Sequence, residues 1–172
     1  MKVFNTITKI IIFPVYYTIH KNIFFGFFHK NFIKKFYYKN ITINLSIKNI
    51  PLSNYSSFLF KTYEYNDRVL VEKNISKKNK CIIIGGGLGF IPCLAYKQSL
   101  NKMLVFEIDE KIIKNLRSNL NKNFCKFVIL NKCLEFSQSI NHIKFYLNDN
   151  FLCNSKYQTS KNFVKIKTIS HT

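Results

Sequence analysis

Three isoleucines, Ile82-Ile83-Ile84, run into Gly85-Gly86-Gly87-Leu88-Gly89, and this short turn holds four of the five glycines in a chain of 172 residues. An apolar strand feeding such a turn restricts the fold strongly, because residues without side chains let the backbone take positive φ and let a ligand lie against the main chain. About 20 residues later Val105-Phe106-Glu107 closes a second apolar run, the spacing at which nucleotide-binding sheets present an acidic residue to a ribose. Together the two features predict a site for an adenosine-containing cofactor.

The elements around the turn follow from periodicity. Ile41, Ile43, Leu45 and Ile47 alternate with polar residues, the pattern of a half-buried strand, which Asn49-Ile50-Pro51 ends. A short helix is predicted between Thr62 and Asn74, with Asn66 or Asp67 as cap. After the glycines a helix over 91–100 tolerates Pro92 in its first turn, where N–H groups have no intrahelical partner. Met103 to Phe106 forms the next strand. Asp109 caps a helix from Glu110 to Leu120 that turns Ile112, Ile113, Leu116 and Leu120 inward and Lys111, Lys114 and Arg117 to water. Phe127 to Leu130 is a third buried strand, ending at Asn131. Strand, helix, strand, helix, strand at this spacing predicts an α/β fold, the parallel, right-handed half of a doubly wound sheet that binds ligands at the carboxyl ends of its strands. Later strands are expected over 143–147 and 164–169.

The formal charge of +19, from 27 Lys and Arg against 8 Asp and Glu, would attract nucleic acid, anionic lipid or an acidic substrate. The lysines are nevertheless spread along the chain, as a compositional bias toward Lys, Asn, Ile, Phe and Tyr would place them. Cys81, Cys93, Cys125, Cys133 and Cys153 form no CxxC pair and read as reduced core residues. His20, His29, His142 and His171 lack metal-ligand spacing, so no protein-bound metal is expected.

Residues 1–39 form a basic aromatic extension, helical or poorly ordered, before a domain over 40–172. Its longest uncharged run, Ile10 to Ile19, is half of the roughly 20 residues that span a bilayer, and no small-residue cleavage site lies near the start, so a cytoplasmic location is expected. Tyr16, Ile19, Ile23, Phe27 and Phe28 recur at near-helical spacing among Lys and His residues. Such a stripe suits packing on the domain, or peripheral contact with a membrane surface. Nucleic acid is the weaker expectation, since no RNA-binding motif accompanies the aromatics.

At the carboxyl ends of the predicted strands, Glu107 offers two acceptor oxygens to two ribose hydroxyls, and Asn131 is placed to contact the adenine edge with its amide. Each also suits a simple structural part, Glu107 as an exposed strand-end carboxylate and Asn131 as a turn former. A dinucleotide site wants GxGxxG or GxGxxA, yet the third position is Phe90 when counted from Gly85 and Pro92 when counted from Gly87. Gly85, Gly87 and Gly89 instead supply GxGxG, the usual loop of Rossmann-like S-adenosylmethionine-dependent methyltransferases. An NAD(P)-binding oxidoreductase fragment and a noncatalytic basic module that binds membrane or nucleic acid are the alternatives.

From about Ile41 onward the chain resembles the FkbM-like methyltransferase family. The likeness is carried by Tyr63-Glu64, Ile82 through Phe90, Phe106-Glu107, Asn115-Leu116 with Asn119-Leu120, Asn131-Lys132-Cys133-Leu134, and Val164 through Ile169. It implies a class I methyltransferase half-sheet, S-adenosylmethionine held by Gly85, Gly87, Gly89, Glu107 and Asn131, and methyl transfer to a hydroxyl oxygen of a sugar or other small-molecule acceptor. No residue is singled out as catalytic base; Asp149 and His142 lie toward the expected substrate side, although both also suit solvated turns. The chain departs from the family at Ile83, where a carboxylate is usual two residues before the first glycine. It departs again at Ser170-His171-Thr172, where the family continues into a further strand with an Asp and a Glu-Gly pair. A fragment or inactive relative is therefore expected, its half-sheet completed by a missing C-terminal half or by a homo-oligomer.

Overall fold

The computed structural model describes residues 23–32, 34–46, 50–135, 142–146 and 163–170. Three parallel strands, β3 (Ile82–Ile84), β4 (Met103–Phe106) and β5 (Phe127–Leu130), lie side by side in that order. They are in register as Ile82↔Leu104↔Val128 and Ile84↔Phe106↔Leu130. Helix α4 (Phe90–Ser99) connects the first pair and α5 (Glu110–Lys122) the second. This is the predicted α/β arrangement, a parallel sheet flanked by helices and compatible with part of a Rossmann-like fold.

Residues alternate between the two faces of a strand, and burial here separates the faces except at Phe106, which is buried at the end of β4. Met103 and Val105 share a core with Leu116 and Leu120 of α5 and Cys93 of α4. On the opposite face Ile82 and Ile84 are 64% and 66% exposed. The inward residues of α5 are those predicted from spacing: Ile112, Leu116 and Leu120 are buried, Ile113 is partly so, and Lys111, Lys114 and Arg117 face water. Asp109 caps this helix as expected, accepting the Lys111 N–H at 2.9 Å.

Before the sheet, α1 (Ile23–Phe32) leads into a hairpin of β1 (Lys35–Tyr38) and β2 (Ile41–Asn44), then α2 (Leu52–Leu59) and α3 (Tyr65–Asn74). The division expected at 39–40 falls on the hairpin turn, where Lys39 takes φ 46°. Phe36 of β1 is buried and meets Phe58 of α2 and Phe90 of α4 with ring centroids 5.4 and 5.2 Å apart. Ile41, Ile43 and Leu45 are buried as their alternation predicts; strand pairing stops at Asn44, and Ile47 lies outside the described residues. Gly26 of α1 approaches Leu52 so closely that a Cβ there would overlap the Leu52 carbonyl.

Two local expectations are corrected. Neither Asn66 nor Asp67 caps α3: Glu64 occupies the N-cap in the left-handed conformation, φ 48° and ψ 39°, and starts the helix earlier. Helix α2 was not predicted, because its Ser and Asn residues are weak helix formers; buried Tyr55 and Phe58 hold it by packing.

Cys81, Cys93 and Cys125 are buried and reduced, with the Cys125 thiol 3.8 Å from the Cys93 sulfur. Further on, β8 (Phe163–Ser170) pairs in parallel with β6 (Cys133–Glu135) and antiparallel with β7 (His142–Tyr146). His142 begins β7; Asp149 and Cys153 lie outside the described residues, as do Tyr16 and Ile19 of the aromatic stripe. Among the described residues no helix is long and apolar enough to cross a membrane.

Candidate functional site

The turn after β3 is held in shape from three directions. Gly85, Gly87 and Gly89 take φ of 81°, 50° and 92°, values that side chains disfavour. Gly85 donates its N–H to the Phe106 carbonyl at 2.8 Å, which ties the start of the turn to β4. Asn119 of α5 donates to the Leu88 carbonyl at 2.8 Å. Phe90, 1% exposed, anchors the exit among Phe36, Tyr38 and Tyr63.

The four glycines differ in what surrounds them. A Cβ on Gly86 would come within 2.5 Å of Leu116 Cδ2 and 2.8 Å of Val105 Cγ1, so this glycine lets α5 close on the sheet. At Gly89 the Leu116 side chain would stand 3.2 Å away. A Cβ on Gly85 would meet nothing within 4 Å, and one on Gly87 would meet only Glu64 Oε1, at 4.0 Å. Gly85 and Gly87 thus form an open cradle of bare backbone, and Gly86 and Gly89 its packed underside.

Glu107, at the end of β4, is turned onto this cradle. Its Oε2 accepts the Gly87 N–H at 2.9 Å, while Oε1 accepts those of Ile108 and Asp109 at 2.7 and 3.0 Å. An ionised carboxylate offers about four acceptor positions, so one remains on Oε2 for a ligand hydroxyl; engaging a second would displace the Gly87 bond. Asn131 stands beside this residue: its Nδ2 donates to the Ile108 carbonyl at 3.2 Å. The turn, Glu107 and Asn131 therefore meet at the carboxyl end of the parallel sheet.

Glu64 borders the same cradle from the N-terminus of α3. Burial pushes its carboxyl up to about 7; the neighbouring Tyr63 hydroxyl opposes the rise and Asp67 adds to it. Tyr63 is itself buried, and its hydroxyl has no hydrogen bond of good geometry among the described residues. The sequence enters Tyr63-Glu64 in the family resemblance but does not place Glu64 among the site residues, although it is one of only eight acidic residues in the chain. Gly86 was also passed over, because the glycine pattern alone does not separate a residue lining a ligand from one admitting a helix.

Behind the turn, Asn119 of α5 and Asn123 at its C-cap bind the edge of β2. Asn119 accepts the Asn44 N–H at 2.8 Å and donates to the Asn44 carbonyl at 3.3 Å. One turn later Asn123 does the same with Thr42, at 2.9 and 2.8 Å. Two side-chain amides thereby act as a short neighbouring strand, satisfying main-chain groups that burial would otherwise leave costly. Among the described residues no cluster of three or more His, Cys, Asp or Glu could hold a metal ion.

No protein-family model matches the chain, nor does any curated protein or solved structure.

Proposed function

We propose that the chain binds S-adenosylmethionine across Gly85 and Gly87 and serves methyl transfer to a hydroxyl group of a small acceptor, as the resemblance to FkbM-like methyltransferases implies. One observation carries the reading: the Glu107 carboxylate reaches the Gly87 N–H at 2.9 Å, beside backbone left bare at Gly85. The residues suit such a cofactor, with a carboxylate for its ribose, a main chain that leaves room for it, and the Asn131 amide two strands from β3 for its base. When bound, it supplies an electrophilic methyl group. The protein's part is positioning: the turn and Glu107 fix one reactant, so that proximity lowers the entropic cost of reaction.

Calorimetric titration with S-adenosylmethionine tests the reading on the wild type, Gly87→Val and Glu107→Ala. Saturable binding that both substitutions weaken supports it. Saturable NAD(H) binding without response to S-adenosylmethionine would instead identify a dinucleotide site.

A further inference from the structure

Resting on that reading of the site, we propose that Glu64 is the cofactor's second anchor, the carboxylate that receives the ammonium group at the amino-acid end of S-adenosylmethionine. Two carboxylates bracket Gly87. Glu107 holds its N–H from the β4 side, and Glu64 Oε1 approaches from α3 to within 4.0 Å of the Cβ position. A ligand that crossed the bare backbone with one ribose hydroxyl on Glu107 Oε2 would have Glu64 on the other side of Gly87.

Glu64 meets no cation among the described residues, and the Tyr63 hydroxyl is its polar neighbour. In a chain of 27 Lys and Arg, none forms an ion pair with it among the described residues, where the single bridge recorded joins Lys39 and Glu72. Its backbone is held at φ 48°, a region that costs a residue with a side chain energy and that recurs at ligand clamps. Partial burial raises the cost of ionisation, which an incoming cation would offset. Strand β3 provides no alternative, since Ile83 is apolar and packs against the core. An ammonium group suits the position better than a sulfonium does, because it donates three hydrogen bonds and a sulfonium donates none.

The test is calorimetric titration of wild type and Glu64→Gln with three probes: S-adenosylmethionine, S-adenosylhomocysteine, which keeps the ammonium but lacks the sulfonium, and methylthioadenosine, which lacks both. Glu64→Gln is expected to weaken the first two by about 10-fold or more, the scale of one charged hydrogen bond, and to leave methylthioadenosine unchanged. Unchanged methylthioadenosine affinity also shows that the variant keeps its fold. Equal losses for all three probes, no loss for any, or a loss confined to S-adenosylmethionine would each overturn the assignment of Glu64 while leaving the cofactor reading intact. Failure of the wild type to bind any probe would overturn both.

Discussion

Glu107 Oε2 lies 2.9 Å from the Gly87 nitrogen, so the acidic residue at the end of β4 braces the glycine turn before any ligand arrives. The carboxylate is itself fixed by the Ile108 and Asp109 N–H groups, and through the Gly87 N–H it ties the turn to the end of β4. Preorganisation of this kind lowers the ordering cost that binding would otherwise bear.

Glu107→Gln replaces one acceptor oxygen by an amide nitrogen that meets N–H donors head-on. The variant is expected to lose about 2 to 4 kcal/mol of stability, the scale of charge-assisted bonds lost with their donors left buried. Urea denaturation measures the loss, and an unchanged midpoint would contradict the bracing.

Gly86→Ala and Gly85→Ala separate packing from backbone strain. At Gly86 the added methyl strikes Leu116 and Val105, and overpacking of about 1 to 3 kcal/mol is expected. Combining it with Leu116→Ala vacates the space, so the pair should cost less than the sum of the single changes. Gly85→Ala, which meets open space, should show no such coupling to Leu116→Ala.

Stability should depend on pH through Glu64. Its carboxyl has an ordinary value of 4.5 and is held up to about 7 in the fold, chiefly by burial. Below pH 4 the group is neutral in both folded and unfolded chains and its contribution is fully present. Between pH 4.5 and 7 the unfolded chain ionises first, and up to about 3 kcal/mol is lost as pH rises through 7. Glu64→Gln removes this dependence, so the variant should be more stable than wild type at pH 8 in urea titrations and no more stable at pH 4. Equal pH profiles for the two proteins would contradict a Glu64 carboxyl whose ionisation the fold penalises.

Asn119→Leu strips partners from the Asn44 N–H and carbonyl and from the Leu88 carbonyl together. A loss of about 3 kcal/mol is expected, since each buried polar group left unsatisfied costs 1 to 3. Asn119→Asp retains an acceptor for Asn44 but sets its second oxygen, in a fully buried place, against the Leu88 and Asn44 carbonyls, and should cost at least as much.

The sheet was legible because its signals are local. Ile82-Ile83-Ile84, Met103 to Phe106 and Phe127 to Leu130 are apolar runs of strand length separated by helical periodicity, and Asp109 announces its helix. The turn was legible for the same reason: only glycines satisfy three positive φ values in five residues. Glu64 was not, because its nearness to Gly87 bridges 23 positions of sequence and depends on a left-handed backbone that its residue type does not favour. Phe36 was assigned to an extension by composition, and only tertiary packing places it beside Phe90. Nothing local in the sequence marks Asn119 and Asn123 as interior; the β2 edge lying against them buries both.

The Asn119 side chain touches the glycine turn at Leu88 and the hairpin at Asn44, two regions between which no main-chain hydrogen bond runs among the described residues. Hydrogen exchange at the Thr42 and Asn44 amides therefore becomes a remote gauge of occupancy: a ligand that quiets the turn should slow exchange in β2, some 40 residues upstream, without touching it.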